Sequence, residues 1–285
     1  MIEDISNEKQ QKSEESAIQN EAELDNNFEE VETNNHNPWI SLKGKKALVT
    51  GAGKGIGSAI AIKLAECGAE VIAISGIPSD LNELEKSNGK IKTLCLDVGD
   101  WEETKSAITS IGHIDLLVNN ASVGVITKFG DVKEEDIDET YNVNLKAIIN
   151  ISQIVVKDMK ERGKGGSIVN VSSMSLIQTS NIGMSIDSSS KCSVDQLTRC
   201  MALELGPHHI RVNAVKPVVM HTQMSEHLFD PHSELGKALI EKTPLKRLGN
   251  ADEIAFPILF LLSDYASFIN GVILTTDGGL TTCFQ

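Results

Sequence analysis

Along residues 45–285, two kinds of sequence block follow one another. Short blocks of mostly apolar residues predict buried strands, and longer stretches with apolar residues every three or four positions predict helices. The predicted strands are, in chain order, Lys46–Thr50, Glu70–Ser75, Ile91–Asp97, Ile114–Asn119, Ser167–Ser172, Arg211–Val215 and Val272–Thr275. Strands that are apolar almost throughout are typical of parallel sheets buried on both faces.

Helices are predicted between several of these strands. They cover Ser58–Cys67, Lys133–Arg162, Ser188–Leu205 and Ala251–Leu262. A polar loop is predicted between the strand that ends at Val215 and the helix that begins at Ala251. Strands that alternate with helices predict the α/β class, with a doubly wound parallel sheet covered by helices on both faces. We expect a single domain of this kind over residues 39–285.

The first 38 residues differ in composition from the rest of the chain. They hold eleven acidic residues and two lysines, which gives −9 of the total formal charge of −14 and leaves 29 carboxylates against 24 basic groups elsewhere. A segment this polar cannot bury enough apolar surface to offset the entropy of ordering. Residues 1–38 are therefore predicted to be a disordered acidic arm, either solvated or bound to a partner.

Charge, hydropathy and cysteine usage exclude several functions. A mildly acidic domain offers no basic patch for nucleic acid and is repelled by anionic membranes. No apolar run approaches the roughly 20 residues of a membrane span. The five cysteines form no CxxC pair, and the amino terminus lacks the features of a signal peptide. We therefore expect a cytoplasmic protein with neither nucleic-acid nor membrane partners, and no metal-binding pattern is present in the sequence.

A glycine-rich turn joins the first predicted strand to the first predicted helix. Its sequence is Thr50-Gly-Ala-Gly-Lys-Gly-Ile-Gly57. Glycines let the backbone turn tightly and approach a pyrophosphate, which is then held at the amino terminus of the helix. The turn predicts a dinucleotide site that includes Gly51, Lys54, Gly55, Ile56 and Gly57, although an ordinary loop is the alternative for such a turn taken alone.

This turn and further motifs at suitable intervals resemble the short-chain dehydrogenase/reductase family over about residues 42–285. The motifs are Leu96-Asp97-Val98, Asn119-Asn120-Ala121, Asn142-Val-Asn144-Leu145, Val171-Ser172-Ser173, Pro217 with Thr222, and Asp277-Gly278-Gly279. Stretches such as Gly99–Glu102 and Met201–His208 are most similar to the branch that reduces dicarbonyl compounds and L-xylulose. The resemblance implies a Rossmann fold, hydride transfer from NADPH to a small carbonyl or sugar substrate, and homotetramers.

The resemblance also implies which further residues contact the cofactor: Ser75, Asp97, Val98, Asn119, Lys191, Met220 and Thr222. Ser75 ends the second strand, where NAD-specific proteins carry a carboxylate, and Lys54 offers a positive charge to a 2′-phosphate. The arginine that these reductases place next is Gly76 here, so a strong bidentate phosphate contact is missing. We favour NADP(H), bound with weakened affinity, over NAD or no tight binding.

The resemblance assigns Asn144, Ser173 and Lys191 to catalysis, with Ser172 as the alternative serine. Family members carry a tyrosine four residues before the lysine, on the same helix face, and this tyrosine protonates the substrate oxygen. The residue at that position in this chain is Asp187. The spacing from Ser173 to Asp187 is also one residue longer than is usual in the family, so the intervening loop is altered.

No tyrosine elsewhere replaces the missing one. The chain contains only Tyr141 and Tyr265, and neither can be aligned with position 187. Aspartate is shorter than tyrosine and is ordinarily ionised at neutral pH, so it has no proton to donate. Loss of general acid catalysis typically lowers a rate by about 10²–10⁴-fold.

Three functions remain open at this point. The chain is either a catalytically impaired reductase that acts as a binding or scaffold protein, or a working carbonyl reductase that uses Asp187 or a water as its proton donor. In the third case it assembles with an active relative as a hetero-oligomer. A rate that rises in acid would favour the working reductase, because protonated Asp187 could then donate.

Overall fold

Parallel strands form the centre of the molecule. They are β1 Lys46–Thr50, β2 Glu70–Ser75, β3 Ile91–Cys95, β4 Leu116–Asn119, β5 Gly166–Val171, β6 Ile210–Pro217 and β9 Ile273–Thr276, with a separate short pair β7 Met220–His221 and β8 Gly249–Asn250. The larger sheet has the order β3-β2-β1-β4-β5-β6-β9. The predicted doubly wound parallel sheet is confirmed.

The computed structural model describes residues 39–173, 182–228, 230 and 232–284. The predicted acidic arm, residues 1–38, lies outside the described residues. Part of the altered loop between Ser173 and Asp187 also lies outside them.

Helices cover both faces of the sheet. They are α1 Gly55–Glu66, α2 Pro78–Ser87, α3 Trp101–Ile111, α4 Glu134–Tyr141, α5 Ala147–Arg162, α6 Ser185–Leu205, α7 Glu234–Lys242 and α8 Asp252–Leu262. A π-helical turn, Asn142–Lys146, interrupts the helix predicted over Lys133–Arg162. Within the described ranges, no helix is long and apolar enough to cross a membrane.

Helix α7 corrects the predicted polar loop between β6 and α8. The Ser233 hydroxyl caps the helix by accepting a hydrogen bond from the Gly236 amide at 3.2 Å. Leu239 is buried and packs in a small cluster with Leu248. The helix is short and largely polar, so its apolar periodicity is too weak to distinguish it from a loop.

Two apolar clusters hold the helices to the sheet. Side chains alternate along each strand, so Val49 of β1 packs with α1 and α8, whereas Leu48 packs with α3 and α5 on the opposite face. Leu64 on α1 and Ile151 on α5 are almost fully buried in their respective clusters. Burial of each such side chain stabilises the fold by about 1.5–3 kcal/mol.

The strand order reverses beside β1. The chain moves outward from β1 to β2 and β3 and then returns to form β4 on the other side of β1. In doubly wound sheets the crevice at such a reversal, at the carboxyl ends of the strands, is where ligands bind. The glycine-rich turn after β1 and the segment after β4 meet at this crevice.

A buried polar network connects the sheet to helix α6. Asn119 on β4 donates through Nδ2 to Ser152 Oγ at 3.2 Å and to Asn170 Oδ1 at 2.8 Å. Asn170 on β5 donates in turn to Thr198 Oγ1 on α6 at 2.9 Å. All four side chains are buried, so each bond replaces hydration that burial removes.

Replacement of Asn170 by alanine is expected to destabilise the protein by about 1–3 kcal/mol, because it leaves a buried Asn119 donor and the Thr198 hydroxyl short of partners. Denaturant unfolding of both forms gives this difference. The exposed helix residue Asn82 provides a control, since Asn82→Ala should change stability by no more than about 0.5 kcal/mol. Equal unfolding free energies for Asn170→Ala and the unmodified chain would contradict a stabilising network.

Candidate active site

The glycine-rich turn is packed too closely to accept side chains. Gly51 has φ +61°, and a Cβ atom there would lie 2.7 Å from the Ala121 Cα. A Cβ at Gly57 would lie 2.1 Å from the Gly51 carbonyl oxygen. Helix α1 begins at Gly55 without a side-chain cap, so its first amide groups are available to an anion.

Thr50 and Asn120 fix this turn against the end of β4. Asn120 Nδ2 donates to the carbonyl oxygens of Thr50 and Gly51, both at 3.0 Å. The amides of Asn120 and Ala121 donate to Thr50 Oγ1 at the same distance. The predicted cofactor contact of Asn119 stays a prediction: its side chain takes part in the buried network, and its neighbour Asn120 holds the turn.

The helix that follows β2, α2, brings a carboxylate close to the predicted phosphate-binding lysine. Lys54 Nζ lies 3.9 Å from Asp80 Oδ2 at the start of α2. A Cβ at Gly53 would lie 2.8 Å from both Asp80 Cβ and Ser75 Oγ, so turn, strand end and helix start are in contact. Asp80 was missed from the sequence, because its proximity to Lys54 depends on the approach of two segments 26 positions apart.

The other predicted cofactor residues differ in their surroundings, and their contact with a cofactor stays a prediction. Thr222 lies against the turn, with its Cγ2 3.1 Å from where a Gly55 Cβ would be. Met220 is buried and packs on Gly249. Asp97 is exposed and accepts from the Gly99 amide at 2.9 Å, whereas Val98 and, in part, Ile56 are buried.

The Gly57→Ala variant is expected to lose measurable NADPH binding, because the added methyl group would collide with the Gly51 carbonyl that shapes the turn. Titration of NADPH fluorescence with the purified chain tests this. Gly89→Ala is the matched control, since a Cβ at Gly89 has no atom within 4 Å. Equal NADPH affinity in the Gly57→Ala variant would show that this turn does not form the nucleotide site.

Helix α6 brings Asp187 and Lys191 one turn apart, and both side chains are buried. Asn144, in the π-helical turn, donates through Nδ2 to Val123 O at 2.9 Å and to Ser190 Oγ at 3.0 Å. The same Nδ2 lies 3.5 Å from Asp187 Oδ1, and Asn144 Oδ1 accepts from the Val123 amide at 2.9 Å. Asn144, Asp187 and Lys191 are therefore brought together as predicted. π-Helical turns frequently occur at functional sites.

The Lys191 side chain is buried, and its Nζ donates to the Val171 carbonyl oxygen at 3.3 Å. Burial lowers the pKa of the Lys191 ammonium, and the negative charges of Asp187 and Asp195 only partly oppose this effect. Asp195 itself forms a buried ion pair with Lys216 on β6, at 2.6 Å. Sequence reasoning missed this pair, although Asp195 stands one helical turn after Lys191.

The two candidate serines differ in their surroundings. Ser172 is buried, its amide donates to Val215 O at 2.9 Å, and its hydroxyl makes a long 3.5 Å contact with the Lys191 carbonyl oxygen. Ser173 is half-buried and directly follows this residue at the end of β5. The assignment of Ser173, with Ser172 as the alternative, stays a prediction.

Neither tyrosine occupies the position of a proton donor. Tyr141 donates to Ser189 Oγ at 3.1 Å, and Ser189 is an exposed residue on a different face of α6 from Asp187. Tyr265 is exposed and contacts the Trp39 ring, with 5.3 Å between ring centroids. In the part of the chain that is described, no three His, Cys, Asp or Glu side chains are grouped to hold a metal ion.

The unfolding free energy of the unmodified chain is expected to rise relative to that of Lys191→Met as pH increases toward the ordinary lysine pKa of 10.5. The pKa of Lys191 is lower in the folded state than in the unfolded state, so protonation of Lys191 opposes folding. This unfavourable contribution is fully present below the folded-state pKa and vanishes as pH rises through 10.5. Denaturant unfolding across pH 7 to 10 gives the comparison. The exposed Lys160→Met variant is the control, and an equal pH dependence in both variants would contradict the lowered pKa.

The chain matches, over residues 51–281, a family model described as enoyl-(acyl carrier protein) reductase. It therefore belongs to the short-chain dehydrogenase/reductase family, as the motifs predicted. It is 44% identical to the L-xylulose reductase of Mesocricetus auratus over 241 residues, which are 84% of this chain and 98% of the relative. Carbonyl reductase (NADPH) 2 of Sus scrofa is 42% identical, again over 84% of this chain and 98% of the relative.

Solved structures show the same fold. A gluconate 5-dehydrogenase from Burkholderia cenocepacia, crystallised with NADP and tartrate, superimposes with a TM-score of 0.78 and 30% identity. The match covers 85% of this chain and 97% of that protein.

Proposed function

We propose that this chain is an NADP(H)-binding oxidoreductase of the carbonyl reductase type in which the reduction of neutral carbonyl compounds is severely impaired. The observation that carries this proposal is the buried carboxylate of Asp187, one helical turn before Lys191. The impairment lies in proton delivery and leaves the nucleotide cradle in place.

The cofactor proposal is supported by the cradle. Gly51 and Gly57 let the turn pack closely beside the start of α1, and Thr222 lies against Gly55. The first amides of α1 would then hold a pyrophosphate. Lys54 would face a 2′-phosphate, but it shares its charge with Asp80, and Gly76 supplies no side chain. We therefore propose that NADP(H) binds with weakened affinity; when bound, it supplies the hydride.

The weakness of carbonyl reduction follows from Asp187. A ketone oxygen gains negative charge as hydride reaches its carbon, and this charge must be met by a proton or a strong donor. An ionised carboxylate provides neither, and its own negative charge opposes the developing oxyanion. Asn144 contacts this carboxylate but also donates to Val123 and Ser190, so it remains a positioning group.

We also propose that copies of the chain associate, as the family resemblance implies. Leu203 on α6 and Phe268 beyond α8 expose most of their apolar surface, which suits a contact between subunits. Such assembly, with identical or related subunits, would let a chain with little carbonyl reductase activity persist as an oligomer partner.

Asp187→Tyr is expected to raise the rate of NADPH oxidation with diacetyl and with L-xylulose by up to about 10²–10⁴-fold over the unmodified chain, because it restores a proton donor beside Lys191. The longer loop before Asp187 could keep the gain near the lower end of this range. The assay is run from pH 5 to 8, and NADPH affinity is measured separately by fluorescence.

Glu204→Gln serves as the charge control, because Glu204 is exposed in the last turn of the same helix. It should leave both the rate and the NADPH affinity unchanged. If the unmodified chain already matches the tyrosine variant, or becomes as fast below pH 6, then Asp187 or a water delivers the proton and the chain is an ordinary reductase.

A further inference from the structure

The carboxylate at the reaction centre would suit a substrate that arrives already positively charged. We propose that the chain reduces, or binds at this centre, cationic imines (iminium ions) of small amines in place of neutral carbonyl compounds. This inference deepens the proposed function, since the reduction step requires that NADP(H) bind in the cradle.

Asp187 occupies the position that the family resemblance assigns to the proton donor of the reaction. The carboxylate belongs to the same face of α6 as Lys191, and its Oδ1 lies 4.0 Å from where a Cβ of Gly124 would be. Because residue 124 is a glycine, it places no side chain between the segment after β4 and the Asp187 carboxylate. Aspartate is shorter than tyrosine, so we infer that a small substrate would meet the carboxylate where a phenol would otherwise stand.

The chemistry of an iminium ion removes the need for a proton donor. Hydride forms the new C–H bond at the iminium carbon, the π electrons of the C=N bond become the nitrogen lone pair, and the nicotinamide is oxidised. Charge and atoms balance with no proton transfer in this step. The amine product then takes a proton from water after release.

The other charges near the centre are largely committed to partners. Lys216 is paired with Asp195 at 2.6 Å, and Lys191 donates to the Val171 carbonyl oxygen at 3.3 Å. Burial also lowers the pKa of Lys191, which weakens the repulsion that its ammonium would exert on a bound cation. The negative charge of Asp187 would then favour a cation over a neutral ligand of equal size.

The carboxylate should act on binding more than on the barrier. The substrate loses its positive charge as hydride arrives, so contact with Asp187 is strongest before the reaction. Removal of the charge in Asp187→Asn should therefore raise KM by about 10- to 100-fold, the effect of losing one close charge pair, and should raise kcat or leave it unchanged without lowering it. A purely structural role for Asp187 would not produce this division.

The test uses the permanently charged 1,2-dimethyl-1-pyrrolinium ion as substrate and cyclopentanone as a neutral carbonyl compound of the same ring size. Steady-state NADPH oxidation is measured for the unmodified chain, Asp187→Asn, Asp187→Tyr and the Glu204→Gln control. We expect turnover of the cation but not of the ketone, a raised KM for the cation in Asp187→Asn, and the reverse preference in Asp187→Tyr. Circular dichroism establishes that each variant is folded.

A second measurement separates this inference from the cofactor proposal. Calorimetric titration of the cofactor-free chain with N,N-dimethylpyrrolidinium, an unreactive cation of similar shape, should give binding that Asp187→Asn weakens about 10- to 100-fold through loss of the charge pair and Glu204→Gln does not. Failure of NADPH to bind would overturn the proposed function and the reduction step, while cation binding would still support the charge preference. Absence of cation binding, or cation binding equal in Asp187→Asn, would overturn the inference itself.

Discussion

The close approach of two backbone segments beside β1 is the constraint on which the site depends. Gly51 and Gly57 have no room for side chains, and Asn120 and Thr50 fix the turn to the end of β4. Because this contact lies where the strand order reverses, it creates the crevice at the carboxyl ends of the strands. The nucleotide cradle is thus a consequence of how the sheet is wound, and a change at the catalytic helix need not disturb it.

The proposed reaction centre beside the cradle combines the geometry of the family fold with different chemistry. The π-helical turn holds Asn144 between Val123 and α6, and the buried network through Asn119 and Asn170 ties α6 to the sheet. This scaffold presents a carboxylate to a substrate. A buried carboxylate would oppose the build-up of negative charge and favour positive charge, so we propose that this one residue sets which substrates react.

Much of the fold could be predicted from the sequence, because its signals are local. Each apolar strand and the i, i+4 relation of Asp187 to Lys191 can be recognised within a few residues. Features that depend on distant segments could not be recognised in this way: the Lys54–Asp80 contact, the Asp195–Lys216 pair and the different roles of Asn119 and Asn120. Helix α7 was missed for another reason, since its burial depends on packing against Leu248 more than on its own periodicity.

We propose that a working nucleotide site stands beside a reaction centre that cannot protonate a carbonyl oxygen. A single-turnover experiment with the unmodified chain tests it most directly: NADPH bound to excess protein is mixed with diacetyl at pH 7, and fluorescence and absorbance are followed together. We expect the fluorescence to show that NADPH is bound and the absorbance of the bound NADPH to persist after mixing. Rapid oxidation of the bound NADPH would contradict the account, because it would show that hydride and proton both reach a neutral carbonyl compound.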